Sequence, residues 1–291
     1  MSDGVRVVGP DDGRLGAFRI LATGAQTRGA YFALDSVSRG VPLGEPHLHV
    51  DASEGEYVAT GDRVILAGDR EVRAPAGSFV LLPKGVAHDM TGTAGSRWFH
   101  LFSPPGIERW FEERERLVES GATREAIDAR SETFGVRLAP RAPGAFHAVI
   151  ANGPAERRVL AQGDDTAGAY AVTEYADVLW RVPLPPHVHD GVDEALYVAA
   201  GEIEVSAGDQ RIRATPGTFV FIPRGTHHCF QNIGDQPARI LVMFSPAGME
   251  RFFERLAELP PGPVDPETYR ALANACWMDV VGEPLAVSDP L

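Results

Sequence analysis

The chain reads as a succession of short apolar runs cut apart by turn residues. "RVILAGD", "GSFVLLP" and "RWFHLFS" occupy residues 63–69, 77–83 and 97–103; "EIEVSAG", "GTFVFIP" and "RILVMFS" occupy 202–208, 217–223 and 239–245. Gly, Pro and Asp turn signals bound these runs, which predicts strands, and their spacing predicts a sandwich or barrel. The period changes in "GIERWFEERERLVESG" (106–121) and "GMERFFERLAEL" (248–259). There Trp110, Phe111 and Leu117, and then Phe252, Phe253 and Leu256, recur at helical intervals. "DPETYRALANACW" opens on Asp265, a helix cap, with Pro266 at the first helical position. Each set of strands is thus followed by a helical tail.

The pattern is written twice. "LATGAQTRGAY" from Leu21 returns as "LAQGDDTAGAY" from Leu160, and "GSFVLLPKGVAH" from Gly77 as "GTFVFIPRGTHH" from Gly217. "FSPPGIERWFEE" from Phe102 returns as "FSPAGMERFFER" from Phe244. The order is kept while the offset drifts from 139 to 142 residues, as small loop insertions in a shared fold would produce. A period this long belongs to whole domains rather than to a solenoid. The Pro-, Ala- and Gly-rich stretch 138–146 reads as the linker, giving domains 1–143 and 144–291.

A further repeated block carries the chemistry. His47-x-His49-x4-Glu54-x6-Gly61 recurs as His187-x-His189-x4-Glu194-x6-Gly201. Residues i and i+2 of a strand share a face, so each His pair can offer two imidazoles to one ion, with the Glu free to add a carboxylate. A fourth donor follows the Pro/Gly turns: His88 after Pro83 and Gly85, His228 after Pro223 and Gly225. Six of the nine histidines fall on these slots.

These residues resemble the two conserved motifs of the cupins, G-x5-H-x-H-x3–4-E-x6-G and G-x5-P-x-G-x2-H-x3-N. The leading Gly of the first is displaced or missing in both halves, and Gly92 stands where the second copy has Asn232. Neither departure touches a ligand position. The resemblance implies an all-β fold with accessory helices, built as duplicated jelly-roll barrels. It implies metal ligands His47, His49, Glu54 and His88 in one half and His187, His189, Glu194 and His228 in the other. The cofactor would be a divalent transition metal in each barrel: iron, manganese, nickel, cobalt or copper, or zinc for non-redox chemistry. With its "FSPxGxERxFE" segments and C-terminal tail, the whole chain is similar to the two-barrel flavonol dioxygenases. That likeness implies oxidative cleavage of a flavonol or related enolisable polyphenol by O2, with Glu54 or Glu194 taking the hydroxyl proton. The alternative within the family is a non-redox cyclase or isomerase of an aromatic polyketide.

Neighbouring positions differ between the halves. Glu56 faces Leu196 across the repeat, and His100 faces Val242. Glu56 is either an extra cavity acid or the solvent-facing start of a strand. His100 shares a face with Trp98 and Phe102, and either lines the first cavity or is a satisfied structural histidine. The first cavity is therefore expected to be the more polar, and a bulky aromatic substrate to prefer the second. His227, with Ala87 in its place, and Cys229 should point away from the metal.

Composition narrows the partners. A net charge of −13 argues against nucleic acid or an anionic membrane, and no apolar run is long enough for a bilayer span. Two cysteines and no signal-peptide layout make a reducing cytoplasm the expected home. The expected partners are a small aromatic substrate and O2. The expected state is a monomer, its barrels paired as a pseudo-dimer, or a homodimer.

Overall fold

A computed structural model describes residues 4–40, 45–151, 157–178, 185–259 and 264–282. The chain divides into two compact units, Asp12–Gly153 and Met1–Asp11 with Pro154–Leu291. This division lies ten residues beyond the boundary read from sequence, and the stretch 138–146, largely without regular structure, falls inside the first unit.

Each unit is built on two antiparallel sheets. In the first unit a seven-stranded sheet runs His147–Val149, Phe79–Leu82, Ser53–Thr60, Arg97–Ser103, Phe32–Val37, Phe18–Ala22 and Arg14–Leu15. Its second sheet runs Val136–Leu138, His47–His49, His88–Thr91, Asp62–Ala67 and Arg70–Pro75. The other unit repeats the plan. Its six-stranded sheet runs Arg6–Val8, Phe219–Ile222, Asp193–Ala200, Ala238–Ser245, Ala171–Val178 and Arg157–Ala161. Its five-stranded sheet runs Gln210–Ala214, Ile203–Ala207, His228–Asn232, His187–His189 and Met278–Val280. All six apolar runs are strands, so the expected β-barrels with helical tails are what the chain forms.

The tails follow their predicted positions. Glu108–Glu119 buries Trp110 and Phe111, and Glu250–Ala257 buries Phe252. Pro266–Asn274 is capped by Asp265, whose carboxylate accepts from the amides of Glu267 and Thr268 at 3.1 and 3.0 Å. A helix at Arg124–Ser131 was not anticipated; its only sequence signal is Thr123, which caps it by accepting from Ala126 N. Among the described residues no helix is long and apolar enough to cross a membrane.

The inner face of one central strand shows how the units differ. Along Arg97–Ser103, alternation brings Trp98, His100 and Phe102 to one side. Trp98 packs with Val58, Ile65 and Val80, whereas Phe102 packs with Phe18, Phe32 and Trp110, and His100 lies between. At the same places in the second unit Ile240, Val242 and Phe244 all belong to one apolar cluster, joined there by Leu196 and Ile203. The first core is thus interrupted by a buried polar layer that the second lacks.

The glycine closing each first motif turns the chain from one sheet to the other. Gly61 and Gly201 both have φ of 74°, which side chains rarely adopt. A Cβ on Gly201 would lie 2.5 Å from the Ala238 Cα and 2.7 Å from the Pro237 carbonyl oxygen. Gly201→Ala should therefore destabilise the protein by about 1–3 kcal/mol, read from urea unfolding. A change below about 0.5 kcal/mol, the usual range for a neutral surface site, would contradict this account.

Candidate metal centres

Strand pairing explains the motif spacing. His47 pairs directly with His88, and His187 with His228, across neighbouring antiparallel strands. The second histidine of each His-x-His pair projects to the same side two residues on. The Pro/Gly turn before the third histidine is tied back to that strand: Gly85 N donates to the His49 carbonyl, and Gly225 N to that of His189, both at 2.8 Å. The carboxylates arrive from the other sheet. Glu54 lies opposite Phe102 and Leu82, and Glu194 opposite Phe244 and Ile222.

In the second unit the ligand atoms of His187, His189, Glu194 and His228 all lie within 4.8 Å of one another. Glu194 Oε2 is 3.1 Å from both His189 Nε2 and His228 Nε2. In the first unit His47, His49 and His88 form the matching group. Glu54 Oε2 stands 3.0 Å from His49 Nε2 and 3.2 Å from His88 Nε2. The fold thus gathers all four candidate ligands of the second unit, whereas in the first it groups the three histidines and sets Glu54 beside two of them, in a separate cluster with Glu56 and His100. It turns His227 outward to solvent and buries Cys229 as a free thiol.

Ring orientation fits a cation. His88 Nδ1–H donates to the Val86 carbonyl at 2.9 Å, and His228 Nδ1–H to that of Thr226 at 2.8 Å. His187 Nδ1–H donates likewise to Pro185 at 2.9 Å. These bonds fix the tautomer and leave Nε2 with a lone pair, as metal-binding imidazoles require. For His88 and His228 that lone pair faces a carboxylate oxygen, an arrangement only a proton or a cation can hold together.

The electrostatics agree. Burial, with neighbouring imidazoles adding to it, pushes the pKa of both His47 and His187 down to about 3, so both are neutral donors at physiological pH. Burial opposes ionisation of Glu54, but hydrogen bonds from His100, His49 and His88 outweigh it and hold the carboxyl well below its usual range. Glu194 is lowered in the same way, against burial, by His228 and His189. Burial disfavours charge on His88 and His228, yet the adjacent carboxylate raises both.

Glu56 and His100 are both buried. His100 Nδ1–H donates to Glu54 Oε1 at 3.1 Å and lies 3.2 Å from Glu56 Oε1. Its Nε2 is 2.9 Å from Ser36 Oγ. Glu56 in turn accepts from Arg63 Nε and Nη2 at 2.8 and 2.6 Å. Glu54, Glu56 and His100 could by distance hold a second cation, but the Arg63 guanidinium already supplies that charge. Sequence reasoning missed Arg63 and Ser36. Arg63 had a signal: alternation along Asp62–Ala67 puts it on the buried face with Ile65 and Ala67, where the other half has Ile203.

The two centres differ most in the space before them. A cavity of about 210 Å³ opens onto His47, His49 and Glu54, walled by Phe18, Phe102, Trp110 and Phe111. In the second unit about 20 Å³ remains, because Tyr175, Phe230, Phe252, Phe253 and Tyr269 close over His187, His189 and Glu194. The expected polarity difference holds, but the expected preference of a bulky substrate for the second cavity is overturned. Apolar side chains there fill the space instead of lining it.

The two clusters are consistent with one metal site per barrel. Elemental analysis of protein loaded with manganese should find one ion per barrel, with His88→Ala and His228→Ala each losing one. Retention of both ions by either variant would contradict the assignment.

Known proteins show related patterns. The Cupin domain family matches residues 181–244. Quercetin 2,3-dioxygenase of Bacillus subtilis is 23% identical over 290 residues, covering 86% of this chain and 85% of that protein. A tetracenomycin polyketide synthase protein of Streptomyces glaucescens is 32% identical over 60 residues, 21% of this chain and 40% of that protein. Among solved structures, oxalate decarboxylase from Bacillus subtilis superposes with a TM-score of 0.54 at 16% identity, over 87% of this chain and 80% of that one. Procruciferin, an 11S globulin from Brassica napus, superposes with a TM-score of 0.58 at 10% identity, over 84% of each chain. An enzyme and a globulin share this fold, so activity has to be argued from the site.

Proposed function

We propose that this chain, a duplicated cupin architecture with a candidate metal site in each barrel, is a metal-dependent dioxygenase. Its substrate would be a flavonol or a related enolisable polyphenol, cleaved with O2, and the first barrel would carry the reaction. One observation supports this reading above the rest. Only the first centre combines its histidine cluster and adjacent Glu54 with room for an organic molecule, about 210 Å³ against about 20 Å³ in the second. The likeness to quercetin 2,3-dioxygenase over most of both chains points to the same chemistry.

His47, His49, Glu54 and His88 would hold the metal, which when bound supplies Lewis acidity and, for iron, manganese, nickel, cobalt or copper, one-electron chemistry. Phe18, Phe102, Trp110 and Phe111 offer a flat aromatic ring apolar walls and exclude water from it. Glu54, ionised and with Oε2 toward the donor cluster, is placed to take the proton of an enolic hydroxyl. The resulting enolate is the electron-rich carbon centre that O2 attacks.

The partial likeness to a polyketide synthase protein supports a second reading, a non-redox cyclase in which the same carboxylate removes a carbon-bound proton and no O2 is consumed. An oxygen electrode separates the two. Metal-loaded protein should consume O2 with at least one member of a flavonol panel, and the chelated protein should not. Product formation without O2 uptake, sustained by the zinc-loaded form, would transfer the assignment to the cyclase.

A further inference from the structure

The two carboxylates that would bind metal are held differently. Glu54 is gripped at both oxygens: Oε2 faces His49 and His88, and Oε1 accepts from His100 Nδ1 at 3.1 Å. Among the described residues Glu194 is hydrogen-bonded through Oε2 alone, by His189 and His228. Val242 and Leu196 occupy the places of His100 and Glu56, and neither side chain can donate or accept.

His100 is itself fixed on three sides. Both neighbours of its Nδ1 are carboxylate oxygens, which accept only, so that nitrogen carries the hydrogen. Ser36 Oγ meets the opposite nitrogen at 2.9 Å, and the bidentate Arg63–Glu56 pair backs the ring. Arg63 is in turn held with its guanidinium carbon 3.6 Å from the Trp98 ring centre. All four residues are buried, so none of these groups can exchange its partner for bulk water without opening the barrel.

We propose that His100 is a positioning residue: by holding Oε1, it restricts Glu54 to offering the metal a single oxygen. Glu56, Arg63 and Ser36 keep His100 in place. The second centre lacks this brace, and Glu194 is free to turn or to engage a metal through both oxygens. One chain thus carries two centres with the same four ligands and different carboxylate behaviour. The inference rests on the metal-binding reading of these residues and not on the dioxygenase reaction.

The test uses manganese(II) as probe and the full chain throughout. His228→Ala isolates the first centre and His88→Ala the second; their manganese electron paramagnetic resonance spectra should differ. In the His228→Ala background, His100→Val should weaken manganese binding about 10–100-fold, the usual cost of losing a partner that orients a ligand. His100→Asn, which can still donate to Oε1, should recover part of that loss. To guard against misfolding around stranded charges, a Glu56→Leu/Arg63→Ile/His100→Val chain copies the second barrel's lining, and its first-centre spectrum should converge on that of the second. Unchanged affinity and spectrum in folded His100→Val and triple variants would overturn the positioning role while leaving the metal site standing. No manganese uptake by the His228→Ala chain would overturn both together.

Discussion

Glu54→Ala abolishes turnover while Glu194→Ala leaves it nearly intact: this is the largest effect expected of any single substitution in the protein. Glu54 stands at the base of the only one of the two ligand-bearing cavities with room for a substrate, and it is both a candidate ligand and the candidate base. Loss of a positioned general base alone lowers rates about 10²–10⁴-fold. Glu54→Gln helps to separate the two roles, because it keeps an oxygen for the metal but cannot take a proton. Initial rates of O2 uptake, normalised to metal content, provide the measurement. Full activity in Glu54→Gln would remove the base assignment. Loss of activity in Glu194→Ala but not in Glu54→Ala would move the reaction to the second barrel.

The second large effect concerns stability. Arg63→Ile should cost about 3–5 kcal/mol, because it leaves the Glu56 carboxylate buried without its counter-charge. Arg63 is fully enclosed, bonded twice to Glu56 and stacked on Trp98. The second barrel supplies the remedy, since Ile203 and Leu196 occupy the same positions there as part of a continuous apolar cluster. Adding Glu56→Leu to Arg63→Ile should therefore recover most of the loss, as replacing a buried pair by well-packed apolar residues is often neutral or stabilising. Urea unfolding of the two variants decides the matter. Equal destabilisation of single and double variants would show that the ion pair is not the cause.

What could be read from sequence was local or repeated. Alternation marked the strands, and the recurring His-x-His and Pro-x-Gly elements marked the ligands, because strand geometry alone puts such residues on one face. The Gly92 departure also has a local cause: a Cβ there would lie 2.4 Å from the Trp98 ring and 2.6 Å from the Asp62 carbonyl oxygen. Long-range packing stayed hidden. The mismatches Glu56/Leu196 and His100/Val242 were visible, but their meaning depended on Arg63, which reaches Glu56 from the other sheet without any motif. The expected preference of a bulky substrate for the second cavity fails for the same reason. Phe252, Phe253 and Tyr269 come from the helices beyond the barrel, and nothing in strand patterning says whether such residues close over a site or stand back from it.

The strand Arg6–Val8 pairs with Phe219–Ile222 and so completes the sheet of a unit whose other strands all begin after residue 156. During synthesis the first of these partners emerges early, and the second only after most of the chain has been made. The unit spanning Asp12–Gly153 can reach its full set of strands while translation continues, but the other must recover a segment made long before. Contacts so distant in sequence slow folding, and until this one forms the backbone of Phe219–Ile222 is an open sheet edge able to capture a strand from another chain.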